Sequence, residues 1–275
     1  MNQKTLAIDS KLPSLTFLFW VMKIAATTLG ETAGDMVSMT LHVGYLGSTA
    51  ILMSIFVVLL LCQLAVKKYI PFLYWGVILA TSTAGTTMSD FMNRTSEHGD
   101  GVGLGIGYAA GSAMLLGLLL AILLVWRLVE KSLSVTNVCS RRAELFYWGA
   151  ILVSNTLGTS LGDYLADDSG LGFAGGAALI GGVIAAIVVV YLVSKAMHVV
   201  LPSLYVGLFW AAFVLTRPFG ATMGDVLTKD HDKGGLGFGT IGSSSVLAVI
   251  LVGVILYTMW RDRMSTTPSG PPHTA

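Results

Sequence analysis

The sequence predicts an all-α integral membrane fold: eight transmembrane helices in four parallel two-helix repeats, with pseudo-symmetry about the membrane normal. Three observations predict it. The 275 residues are 54% hydrophobic and only 11% charged, too few charges to cover the surface of a soluble domain. Apolar stretches of spanning length recur at about residues 14 to 35, 45 to 66, 71 to 91, 103 to 126, 145 to 164, 171 to 195, 201 to 225 and 236 to 260. A spaced signature repeats four times along them.

The elements follow in chain order. The polar start runs to Pro13, and the first span lacks a basic segment joined to a short apolar core and a small-residue cleavage site, so it reads as a retained helix. Repeats are expected at about 13–68, 69–131, 142–198 and 199–263, within one membrane domain covering 1–275, with 264–275 a flexible tail. Lys4, Lys11, Lys67, Lys68, Arg127, Lys131, Arg141, Arg142, Lys195, Arg261 and Arg263 fall on one predicted side. Only Arg94, Lys229 and Lys233 fall on the other. The bias predicts a multi-pass protein of the bacterial inner membrane with both termini cytoplasmic. Trp126 and Trp260, each followed by Arg, read as interfacial anchors. A net charge of +1 and the absence of a further basic patch argue against a nucleic-acid partner. The lipid bilayer is the expected partner, and homo-oligomers are compatible with the sequence. Cys62 and Cys139 have no paired spacing and suggest neither disulfide nor thiolate metal site.

Trp20, Trp75, Trp148 and Trp210 are each followed at plus ten by glycine (Gly30, Gly85, Gly158, Gly220) and at plus fifteen by aspartate (Asp35, Asp90, Asp163, Asp225). Each following helix opens with Gly-Leu-Gly, at 103–105, 170–172 and 235–237, loosened to Gly44-Tyr-Leu-Gly47 in the first repeat. On these residues the chain resembles a bacterial membrane family of four tandem copies of a repeat of unknown function, each with two spans and a characteristic tryptophan. The resemblance covers nearly the whole chain and implies the four-repeat, eight-helix architecture; it implies no activity. Two spans per repeat return each repeat to the same orientation, so any symmetry axis runs along the membrane normal.

On a helical projection the signature splits in two. Gly30 with Gly34, Gly158 with Gly162, and Gly220 with Gly224 make small-xxx-small packing faces, with Gly85 and Ser89 the polar version. On the other side each aspartate stacks with a hydroxyl three residues earlier: Thr32, Thr87, Ser160 and Thr222. Fifteen residues place the carboxylates roughly 22 Å beyond the tryptophans, at helix C-termini where free carbonyls gather. Carboxylate, carbonyl and hydroxyl together suit a cation; the same aspartates can instead cap the helices that follow. The tryptophans read as an interfacial belt or as core packing.

The repeats are not equivalent. Only the first has a second acid one helical turn below its aspartate, Glu31, and only the first and fourth carry cations inside spans, Lys23 and Arg217. Ionisable groups within a span pair or face a water-filled path. Glu31 with Arg217 is the preferred pair, structural or gating, with Lys23 a further gating candidate. No resident cofactor is indicated. Oxygen ligands favour hard divalent cations, and Met36, Met88, Met92 and Met223 tip the choice slightly toward Mn2+. His42, His98 and His231 lack metal-ligand spacing. Acidic loops (Glu97, Asp100, Asp167, Asp168, Asp230, Asp232) would concentrate cations at the outer mouth. The expected function is a membrane transporter or exporter of a cation, exchanging an inorganic cation or a proton. A cation channel and a non-transporting scaffold or sensor are the alternatives. No HExxH, haem, nucleotide-loop or nucleophile motif is present, so no enzymatic activity is expected.

Overall fold

The computed structural model describes residues 11–95, 102–133, 135, 140–198, 201–231 and 234–266. Eight long helices fill this range, and no strand occurs among the described residues. They are α1 (Phe17–Asp35), α2 (Tyr45–Ala65), α3 (Pro71–Asn93), α4 (Tyr108–Glu130), α5 (Arg141–Asp163), α6 (Gly172–Ala196), α7 (Pro202–Thr228) and α8 (Thr240–Thr266). All eight stretches expected from the sequence are helical, with ends displaced by a few residues. The expectations for Lys4, Glu97, His98, Asp100, Cys139, Asp232, Lys233 and most of the tail fall outside the described residues.

The odd helices make a closed ring: α1 packs on α3, α3 on α5, α5 on α7, and α7 back on α1. The glycines explain the close approach. A Cβ at Gly30 would fall on Ser82, at Gly85 on Asn155, at Gly158 on Arg217 and at Gly220 on Thr27. Each partner stands seven residues after the tryptophan of the next repeat, so one contact recurs four times around the ring. The even helices lie outside, and each packs chiefly on the inner helix of the following repeat: α2 on α3, α4 on α5, α6 on α7, and α8 on α1.

Burial divides the two sets. Along α3 and α5 most residues are buried, hydroxyls and amides included, while the outer helices expose apolar side chains such as Val58, Leu120, Leu192 and Val249. Five described helices, α2, α4, α6, α7 and α8, are long and apolar enough to cross a membrane. α1, α3 and α5 are less apolar, their buried faces carrying Thr, Ser and acids.

Within the fourfold pattern the chain alternates with a period of two repeats. α1 and α5 start on hydroxyl caps, Thr16 accepting from the Phe19 amide and Ser140 from the Ala143 amide. Both end in a π-helical turn, Met36–Thr40 and Tyr164–Asp168. α3 and α7 instead start on Pro71 and Pro202 and end in extended residues, Arg94 and Lys229. The loops after them share one register: Leu104 and Leu236 amides donate to Phe91 and Val226, and Gly105 and Gly237 amides to Arg94 and Lys229.

The glycines that open the outer helices align differently from the expected Gly-Leu-Gly. The shared element is a pair of left-handed residues two apart: His42 and Gly44, Gly105 and Gly107, Gly170 and Gly172, Gly237 and Gly239. Backbone conformation fixes this pairing, and the residue between is apolar in every repeat: Val43, Ile106, Leu171 and Phe238.

Candidate functional site

Successive layers of side chains fill the ring, each layer four residues further from the tryptophans. At the tryptophan end Trp75, Trp148 and Trp210 are buried, and Trp20 packs edge-on to Phe19 and tilted on Phe209. Tyr74 and Tyr147 share a hydrogen bond of 2.7 Å across the ring. Three of the four marker tryptophans are therefore core, and Trp20 is half-buried against that core. Trp126 departs from expectation in the same way: it is buried edge-on to Trp210, while Trp260 is exposed. Lys11 also closes this end, its ammonium 2.7 Å from Glu144 at the start of α5.

Near the middle lies Lys23, with no exposed surface. Its Nζ stands 4.2 Å above the Phe213 ring and has no hydrogen-bond partner. It does not join the Glu31 and Arg217 pair.

That pair forms the centre of the ring. Arg217 Nη1 lies 2.9 Å from Glu31 Oε2 and also donates to the Thr27 carbonyl. Nη2 donates to Thr86 Oγ1 at 2.6 Å, Thr159 Oγ1 at 2.8 Å and the Ser82 carbonyl at 3.2 Å. Thr86 and Thr159 pass their own protons to Glu31 Oε2, at 3.1 and 2.8 Å. One carboxylate and one guanidinium thus bind all four inner helices, and each hydroxyl accepts from the cation while donating to the anion. Thr86 and Thr159 escape a search for residues shared by every repeat. Their signal is positional: they stand eleven residues after their tryptophans, where the first repeat has Glu31.

The four aspartates lie buried together at the far end, 1 to 2% exposed, but as two pairs. Lys229 Nζ bridges Asp35 Oδ2 at 3.0 Å and Asp225 Oδ1 at 3.3 Å. Arg94 Nε holds Asp90 Oδ1 at 2.7 Å, and its Nη2 approaches Asp163 Oδ2 at 3.7 Å. Each cation stands four residues after the aspartate of its own repeat and clamps it to the aspartate of the next. Burial opposes both charges, but the flanking carboxylates outweigh it and hold the Lys229 ammonium and the Arg94 guanidinium well above their ordinary pKa values. In the sequence these two residues are exceptions to the charge bias, and the Asp-x3-Lys and Asp-x3-Arg spacing is their visible signal. No side-chain hydrogen bond caps the starts of α2, α4 and α6, where Gly44, Gly107 and Leu171 stand at the N-cap.

Glu31 stands one turn below Asp35 and joins the first pair. Glu31, Asp35 and Asp225 each present a carboxylate oxygen within 4.8 Å of the others. This is the one set of potential metal ligands of this kind among the described residues. The hydroxyls Thr32, Thr87, Ser160 and Thr222 are placed elsewhere. Thr32 bonds Ser244 of α8 at 2.8 Å, and Ser160 bonds Ser112 of α4 and Asn93, along the seams between inner and outer helices. Thr87 and Thr222 donate to carbonyls of their own helices. His42 and Cys62 are exposed.

The model of one family, described as Repeat of Unknown Function (DUF347), matches residues 18–69, 73–132, 146–196 and 208–264. No curated protein and no solved structure matches the chain. Four tandem matches spanning most of its length place the marker tryptophans and aspartates in equivalent positions of successive copies, and the chain belongs to the DUF347 repeat family.

Proposed function

We propose that the protein crosses the bacterial inner membrane eight times, with both termini cytoplasmic, and transports a divalent cation through the ring of inner helices. The apolar side chains on α2, α4, α6 and α8 suit lipid tails, and the polar inner helices are shielded from them. The basic residues near the tryptophan end suit the cytoplasmic side.

The observation that carries the transport reading is the carboxylate triad bridged by Lys229. Lys229 is a tethered cation, partly exposed, seated where a mobile cation would be bound. Three carboxylates against Arg217 and Lys229 leave one negative charge. If Lys229 swings out and a divalent ion enters, the cluster becomes neutral, whereas a monovalent ion in the same exchange leaves the charge unchanged. Oxygen-only ligands select hard ions such as Mn2+ or Mg2+. The tryptophan layer and the two cation clamps close both ends, which fits alternating access better than a standing pore.

The test is flux of Mn2+, Mg2+, Ca2+ and K+ into liposomes holding purified protein. Saturable Mn2+ flux is expected, falling about tenfold or more in Glu31→Gln, Asp35→Asn and Asp225→Asn, in line with removal of one charged ligand. Unchanged flux in all three variants, or no flux in the wild type, would end this reading and favour a scaffold or sensor. Rapid conductance without saturation would favour the channel.

A further inference from the structure

We infer that the protein is a cation–proton exchanger whose proton is carried by Lys23, coupled to the metal site through Arg217. The inference rests on the transport reading above and adds the co-substrate and the residue that takes it.

Lys23 is the unexplained group of the core. It is fully buried, it has no hydrogen-bond acceptor, and its one favourable contact is the face of Phe213. A lysine retained only for packing would extend its head toward a carbonyl, hydroxyl or carboxylate. The Lys23 amine has nothing that holds its proton beyond an aromatic ring.

The charges around it supply the coupling. From α7 the facing charge is Arg217, one helical turn from Phe213 toward the aspartates, with the Phe213 ring under the Lys23 ammonium. From α3 the buried titratable groups are Tyr74 at the tryptophan end and Asp90 at the aspartate end; α8 supplies none among the described residues. On α1 itself Glu31 and Asp35 lie toward the aspartate end. Arg217 is tolerated beside Lys23 because Glu31 neutralises it. When a metal ion takes the Glu31 carboxylate in place of Lys229, the cluster facing Lys23 goes from one net negative charge to none, and Arg217 shares its counter-charge with the metal. The repulsion between Arg217 and Lys23 in adjacent buried layers is then less offset, and only Lys23 can give way, since guanidinium does not release a proton at accessible pH. The Lys23 N–H bond breaks, the electron pair stays on nitrogen, and the proton passes to water. Metal release restores the Glu31 and Arg217 pair and lets Lys23 take up a proton again. Metal and proton therefore exclude one another, which is the requirement for exchange.

Calorimetric titration of Mn2+ into the purified full chain, near neutral pH and in buffers of different ionisation heat, counts the protons released per ion bound. Wild type is expected to release close to one. Lys23→Met should bind Mn2+ with release near zero and an affinity that no longer rises with pH. Lys23→Arg keeps a charge that cannot leave, so its affinity should fall by about tenfold or more with no proton released. Thermal melting checks that each variant is folded, and the Arg variant decides the matter if the Met variant is not. Proton release in Lys23→Met equal to wild type, or unweakened binding in Lys23→Arg, would overturn the Lys23 assignment while leaving the metal site standing. Absence of Mn2+ binding in the wild type would remove the metal site itself, and this inference with it.

Discussion

Arg217 and Glu31 meet where four helices converge, so each substitution there leaves a different buried charge without its partner. Glu31→Gln strands a guanidinium among two carbonyls and two hydroxyls; Arg217→Met strands a carboxylate that two threonines still serve. Each single variant is expected to lose about 3–5 kcal/mol of stability, and the double variant less than the sum, because it removes both charges together. Thermal melts of the four proteins in one detergent check this; additive losses would show that the pair is not coupled. At this scale the sequence was informative where it broke its own repeat. Glu31 and Arg217 stood out as acid and base with no counterpart in the other copies, and they pair. Lys23 stood out by the same test but has no anion within reach, since its layer is completed by an aromatic ring. Thr86 and Thr159 carry only the positional signal of matching Glu31, because threonine is common in these helices and the ring alone brings those two onto one carboxylate.

Single helices show which part of the signature is packing. The glycine ten residues after each tryptophan meets a neighbouring helix, and a methyl group there has no room. Gly220→Ala would press on Thr27 and is expected to cost about 1–3 kcal/mol through overpacking. Gly117→Ala on α4 faces open space and is expected to gain about 0.5–1 kcal/mol from helix propensity. Melting temperatures moving in opposite directions are the outcome to look for; a neutral Gly220→Ala would mean that the ring yields easily at that contact. Helix number and approximate ends were legible because length and apolarity report them directly. The face of the regular hydroxyl was not. Thr32 and Ser160 bond outer helices, whereas Thr87 and Thr222 bond carbonyls of their own, so the regular hydroxyl lies off the axis in all four repeats. The residues on the axis are the irregular ones.

Closure of the whole molecule is the feature least visible in the sequence. Consecutive helices joined by a short connection are expected to pair, which would set α2 on α1 and α8 on α7. Each outer helix instead lies chiefly on the next repeat, so the last one has no following repeat and returns to the first. The repeat signature predicts four like units but not this offset, because the contact that sets it joins residues more than two hundred positions apart: Thr32 Oγ1 and Ser244 Oγ, at 2.8 Å. Cysteines at these two positions, with Cys62 and Cys139 changed to serine, should form a disulfide, since the side chains already touch. With a protease site inserted between α4 and α5, cleavage then leaves two fragments that migrate together without reductant and separate with it. Fragments that separate under both conditions would place α8 against its own repeat and open the ring. Under the proposed transport, closure bears on the cycle as well as on shape. The Lys229 clamp joins the fourth repeat to the first, as the Arg94 clamp joins the second to the third, so a metal ion displacing Lys229 would loosen the same seam that the disulfide locks. If that seam must part during each cycle, the cross-linked protein should retain its fold and lose Mn2+ flux, and reduction should restore it.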